Sequence, residues 1–210
     1  MKYFFKTLSF LFHPLFFPIL GIYILFELPV YSFGLIIIPE IKQFLFLMFG
    51  LLTVIAPGIS LLILHGNGAI SSLEMPDRKE RFLPLVLILV YYIILYWFIR
   101  FNYPILNNIS YLSPYIFGLI LTTTTALIFN FYLKISLHVL GIFGVIGAIT
   151  AFMQGELFYN FTFLFVLIIL GGLIASARLY LNSHQLKEVL YAMFFGFGIE
   201  YFCIKFEWFI

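Results

Sequence analysis

Charge is what this chain has least of. Asp, Glu, Lys and Arg make up 10% of its 210 residues, against about 25% in a soluble globular domain, while 64% are hydrophobic and mean hydropathy is +1.13. Too few polar residues remain to cover a core in water. The composition excludes a soluble fold and predicts an integral membrane protein. Cysteine is nearly absent too. Cys203 stands alone, which excludes an intrachain disulfide and a cysteine-built metal site. Nor does one sign of charge dominate: 11 basic residues against 9 acidic give +2, too balanced for a nucleic-acid partner. The H-E-x-x-H spacing of helical zinc hydrolases is missing as well. A metal-dependent enzyme using the four histidines is therefore the weakest of three functional readings.

What the chain has in abundance is apolar length. Seven runs, over 8–28, 43–65, 83–100, 111–132, 135–154, 159–179 and 188–208, approach or exceed the roughly 20 residues that cross a bilayer core as a helix. They are continuous instead of alternating, which argues against a membrane barrel. The predicted fold is all-α, a polytopic membrane helical bundle of six to seven spans in a single domain over 1–210. An aromatic share of 21%, with 29 Phe and 14 Tyr, suits lipid contact and interfacial anchoring. Lys2 and Lys6 before the first run resemble a signal peptide, but no small-residue cleavage site follows before Glu27, so the run is read as a retained span. Breaks fall at Pro29 to Pro39, Gly66-Asn67-Gly68, Tyr103-Pro104 through Pro114, and Gln154-Gly155-Glu156. The break at Leu133-Lys134 has no Gly or Pro and is inferred from excess apolar length.

Seven spans would put the amino terminus and loops 66–82, 133–135 and 180–187 on one side. His13, His65, His138 and His184 then gather there, with Arg78, Lys79, Arg81, Lys134, Arg178 and Glu188. Eight of the 11 basic residues share that side, the cytoplasmic one by the positive-inside rule. Setting aside Arg78, Lys79, Arg81 and Arg178, which have a chemical reason to be there, leaves a count that gives no orientation.

The densest polar stretch separates the last two runs: Arg178, then His184, then Glu188. Asn182 or Ser183 can cap the last helix, with Gln185 three residues after Asn182, which puts His184 in the first turn. Unpaired N–H groups and the helix dipole favour an anion there and disfavour imidazolium. Glu188, four residues on, can orient the imidazole and fix its tautomer. Arg178 offers a planar fork matched to phosphate oxygens, or simply snorkels to the headgroups. Ser136 and His138 open another helix, followed by Gly141, Gly144 and Gly147, a small-residue stripe that lets a neighbouring helix approach. His138 is expected to face into the bundle, as a proton donor or a packing histidine. Asp77-Arg78-Lys79-Glu80-Arg81 is either a solvated loop or a source of cations for phosphate. Thr122 to Thr125 are expected to bond back to their own helix.

These residues resemble the type 2 phosphatidic acid phosphatase superfamily, related in fold to the vanadium haloperoxidases, whose motifs read K-x6-R-P, P-S-G-H and S-R-x5-H-x3-D. Arg178, His184 and Glu188 keep the third spacing, with Ala177 for Ser and Glu188 for Asp; Ile135-Ser136-Leu137-His138 keeps Ser and His of the second. Arg78-Lys79-Glu80-Arg81-Phe82 supplies the charges of the first without its spacing. The resemblance covers roughly 74–195. It implies a membrane-embedded phosphatase of lipid phosphates or diphosphates, in which His184 attacks phosphorus, Glu188 orients it and His138 protonates the leaving oxygen. Lys79, Arg81, Arg78, Arg178 and Ser136 would hold the phosphate, with no metal or other cofactor required. It also implies a bacterial cytoplasmic membrane with the site facing the periplasm. The alternative is a non-catalytic lipid-phosphate binder or transporter on the same fold. The sequence carries no signal for oligomeric state.

Overall fold

Lipid offers backbone groups no hydrogen bonds, so an apolar run satisfies them most simply as a helix. The computed structural model describes residues 1–27, 39–103, 106, 109–155 and 161–207, and all regular structure among them is helical. The helices are α1 (Lys2–Leu11), α2 (Phe17–Glu27), α3 (Pro39–Phe49), α4 (Ala56–Gly66), α5 (Phe82–Trp97), α6 (Leu112–Phe129), α7 (Leu137–Gly155), α8 (Phe161–Tyr180) and α9 (Leu186–Lys205). The expected breaks at 29–38, at Pro104 and at 156–158 lie outside the described residues.

Several helices join end to end into membrane-length rods. A π-helical stretch, Gly50–Ile55, carries α3 into α4, next to Pro57, which has no N–H to give to a regular helical bond. A 3₁₀ turn at Lys79–Arg81 leads into α5, and Phe98–Asn102 extends it. Among the described residues, six stretches are long and apolar enough to cross a membrane: Lys2–Glu27, Pro39–Gly66, Lys79–Asn102, Leu112–Phe129, Leu137–Gln154 and Phe161–Tyr180. The molecule is an all-α polytopic membrane bundle. α9 is also 20 residues long, but Lys187, Glu188, Glu200 and Lys205 keep it out of that set of six apolar stretches. Between α1 and α2 the chain kinks at His13, which is extended and accepts a hydrogen bond from Leu15 N–H at 3.4 Å, with Pro14 opening the next turn.

The glycine stripe does what its spacing predicts. A methyl added at Gly147 would fall 2.2 Å from the Phe197 carbonyl oxygen, and one at Gly196 would fall 2.4 Å from that of Leu140. Backbone therefore meets backbone where α7 crosses α9, the close approach that small residues permit. Thr122, Thr123 and Thr124 each donate to a carbonyl in the preceding turn of α6, as expected. Cys203 is buried.

Hydrogen bonds tie the segments around Ser9, Arg78, Lys134 and His184 together at one end, His184 through the Lys134 carbonyl. Arg78 donates to the Phe131 carbonyl, and the Asn130 amide donates to the Arg78 carbonyl. Lys134 Nζ donates to the Pro76 carbonyl, while a His138 ring nitrogen lies 3.1 Å from the Ser9 carbonyl. The amino-terminal helix and the loops around 78, 134 and 184 thus share a face, as parity requires.

Candidate active site

The turn from α8 to α9 is set by Asn182. Its φ of 51° is left-handed, a conformation Asn tolerates better than most side chains. The Asn182 N–H reaches the Leu179 carbonyl and the Ser183 N–H reaches the Arg178 carbonyl, the pair of bonds that closes a Schellman motif. Asn182 therefore ends α8. It does not cap α9, as the sequence suggested, and His184 is not in the first turn. The chain is extended at Gln185, which is the N-cap, and Glu188 is the third helical residue. Each side chain receives the other's backbone N–H, with Glu188 Oε2 3.0 Å from Gln185 N, a capping box displaced by three residues from the predicted one.

That shift makes Glu188 the hub of the site. Its Oε1 accepts from the Lys134 N–H at 3.2 Å, and its Oε2 lies 3.0 Å from His184 Nδ1. The same Nδ1 lies 2.9 Å from the Lys134 carbonyl oxygen. Two acceptors converge on one nitrogen, so Nδ1 carries the proton and Nε2 keeps its lone pair. Burial pushes the His184 pKa down to about 4, helped by the positive charges of Arg81 and Arg178 and opposed by Glu188. At neutral pH the ring is an uncharged base.

Two buried arginines flank it. Arg81 is 6% exposed; its Nε donates to the Met75 carbonyl and one terminal nitrogen to the Ile135 carbonyl, each at 3.2 Å. Arg178 is equally buried, and its Nε finds no hydrogen-bond partner among the described residues. Ser136 is fully buried with its hydroxyl likewise unpartnered. A buried donor left unsatisfied costs about 1–3 kcal/mol. Such groups persist where something absent from the protein itself satisfies them.

The remaining expected residues divide. His138 is half-buried at the start of α7, with a ring nitrogen turned to the Ser9 carbonyl and its ring 5.9 Å from that of His13. Arg78 is exposed and braces the α6–α7 turn. Lys79 is exposed, and its backbone N–H is held by Asp77. The structure thus joins Arg81, Arg178, Ser136, His184 and Glu188 and leaves Arg78 and Lys79 on the rim. His65 bonds locally to the Ile70 carbonyl, and among the described residues no three His, Cys, Asp or Glu side chains gather as a metal site.

Lys134, placed by the sequence on this side without a role in the site, proves central to it. Its backbone holds both His184 and Glu188, and burial lowers the pKa of its half-buried ammonium, with Arg81 and Arg178 acting in the same direction and Glu188 and Glu74 opposing. Only its place two residues before Ser136 could have pointed to it. No protein-family model, curated protein or solved structure matches the chain. What the site can do follows from its geometry: a neutral imidazole with one free nitrogen, among cations that outnumber nearby carboxylates, suits an anionic electrophile.

Proposed function

We propose that this membrane protein is a phosphatase of lipid phosphates or diphosphates working through a phosphohistidine. One observation carries the reading: Glu188 and the Lys134 carbonyl both hold His184 Nδ1, leaving Nε2 with its lone pair on a ring that feels the charge of two buried arginines, Arg81 and Arg178. In this scheme Nε2 attacks phosphorus as the bond from phosphorus to the lipid oxygen breaks. Glu188 stabilises the positive charge that develops on the ring. Arg81, Arg178 and the Ser136 hydroxyl bind the equatorial oxygens, where charge is densest in the transition state. His138 gives a proton to the departing oxygen, which requires its ring nitrogen to leave the Ser9 carbonyl. Water, giving a proton back to His138, then attacks the phosphohistidine as the bond from phosphorus to Nε2 breaks, releasing inorganic phosphate and restoring both rings. Rim residues Arg78 and Lys79 attract the anionic headgroup, while its tail stays in the bilayer. No metal is assigned a part. By the same resemblance the site faces the periplasm from a bacterial cytoplasmic membrane.

The test is phosphate release from phosphatidic acid, phosphatidylglycerol phosphate, undecaprenyl diphosphate and lipid A phosphates, comparing wild type with His184→Ala. Turnover is expected to vanish in the variant while the protein stays folded, and an acid-labile phosphoenzyme should be trapped in wild type alone. Undiminished turnover in His184→Ala would sink the mechanism. The second reading, a non-catalytic lipid-phosphate binder or transporter, is favoured by the rim position of Arg78 and Lys79, which leaves a smaller cationic cradle. It predicts saturable binding of these lipids without release of phosphate.

A further inference from the structure

Twelve residues after Glu188 on α9, Glu200 is 1% exposed and neither of its carboxylate oxygens has a hydrogen-bond partner among the described residues. Its place exists because two neighbours have no side chain. A methyl at Gly118 on α6 would lie 2.2 Å from Glu200 Oε2, and one at Gly144 on α7 would lie 3.3 Å from its Cγ. Beside the carboxyl is a cavity of about 80 Å³ bounded by α2, α5, α6, α7 and α9.

The lining says what kind of guest would fit. Among the described residues that form it there is no Lys, Arg or His to neutralise Glu200. The hydroxyls of Tyr115, Thr122 and Thr123 already donate, to the carbonyls of Pro18, Gly118 and Leu119. They face a guest as acceptors, and so does the carboxylate. An anion therefore meets no cation here, whereas a positively charged N–H donor can stand in for the carboxyl proton and meets several acceptors. The rings of Phe17, Tyr92 and Tyr115 also line the space, and aromatic faces attract a cation more strongly once it is desolvated. The volume is several times the roughly 10–15 Å³ that a single water needs. A bare inorganic ion would leave most of it empty against an apolar wall.

We propose that Glu200 and the cavity beside it form an intramembrane binding site for a small alkylammonium ion, separate from the phosphate chemistry at His184. The ammonium sits against the carboxylate and the Thr122 hydroxyl, and the alkyl group packs among the aromatic rings.

Purified full-length protein in detergent is titrated calorimetrically with ethylammonium chloride, sodium chloride and ethanol. Saturable one-site binding is expected for ethylammonium alone, weakened at least tenfold in Glu200→Gln. No saturable binding to wild type, equal binding to the variant, or an equal response to sodium or ethanol would overturn the proposal. Should Glu200→Gln fail to fold, wild type still decides. Ethylammonium should slow modification of Glu200 by dicyclohexylcarbodiimide several-fold, read by peptide mass spectrometry, and an unchanged rate overturns the site.

Discussion

His184 Nδ1 lies 3.0 Å from Glu188 Oε2, although only Glu188 belongs to the helix. The pair meets because Gln185 is extended and turns the imidazole back over the first turn of α9. Burial and two arginines keep that imidazole neutral, and the consequence is a pH signature. An unfolded histidine titrates near 6.5, whereas this one titrates near 4 when folded. Between those values the unfolded chain binds more protons. The contribution of His184 to stability is therefore level above pH 6.5 and falls as the pH drops towards 4, by on the order of 3 kcal/mol. Melting of detergent-solubilised wild type and His184→Gln across pH 4–8 checks this, since the variant should lose that slope. Parallel curves would refute the assigned cause.

Glu188→Gln is expected to keep most of the fold and lose most of the chemistry. The single amide oxygen can still accept from the Gln185 N–H, so the helix cap is kept, while its NH2 now faces the Lys134 N–H and that bond is lost at a cost of about 1–3 kcal/mol. It cannot stabilise a positive imidazole. Turnover on any cleaved lipid phosphate should fall by about 10²–10⁴ with substrate affinity nearly unchanged. Loss of affinity with intact kcat would assign Glu188 to binding instead.

Arg81 and Lys79 separate a buried cation from an exposed one. Arg81→Met strands the carbonyls of Met75 and Ile135 and should cost about 2–3 kcal/mol, read as a lower melting temperature. Lys79→Ala should stay within about 0.5 kcal/mol and alter turnover little, with its effect confined to KM and diminished by salt. Equal loss in both variants would mean that the rim takes part in the chemistry.

The glycines make a paired prediction. Gly147→Ala forces a methyl to 2.2 Å from the Phe197 carbonyl oxygen and should destabilise by about 1–3 kcal/mol as α7 and α9 separate. Gly172→Ala meets nothing within 4 Å in the middle of α8 and should be neutral or stabilising by up to about 1 kcal/mol. Thermal melts of the two variants suffice. A tolerated Gly147→Ala would show that these helices do not touch.

Asn182→Gly should preserve the turn, and Asn182→Val should cost about 1–2 kcal/mol, because a β-branched residue resists φ of 51°. The valine variant should also lose lipid-phosphate turnover through misplacement of His184. A fully active Asn182→Val would detach the turn from the site.

The all-helical class and the order of the membrane-length stretches were legible because apolar length is a property of composition, whereas the division of the first two into α1 and α2 and into α3 and α4 was not. The Arg178, His184 and Glu188 cluster was legible because its spacing survives in the chain. Lys134 was not, since its backbone carries the contacts and any residue type has a backbone. The three cations from Arg78 to Arg81 read alike in sequence. Only the phase of the turn into α5 sends Arg81 inward and leaves Lys79 in water. Glu200 hid in an apolar run, and what singles it out is its contact with Gly118 and Gly144, brought together by tertiary packing alone. The capping box moved because Asn182 served α8, and the sequence offered Asn182 or Ser183 for the cap with Gln185 as its partner three residues on, whereas Gln185 is itself the cap.

Both the N–H and the carbonyl of Lys134 are held by side chains made at least 50 residues later. A ribosome delivering α7 to the membrane has therefore not yet supplied the groups that satisfy this turn. During synthesis, Arg81 and Lys134 wait as an incomplete cationic end until α8 and α9 emerge, and the His184–Glu188 pair locks it last. A chain truncated after α8 would carry Arg81 and Arg178 and still lack His184 and Glu188, so this end of the bundle is completed only when α9 emerges.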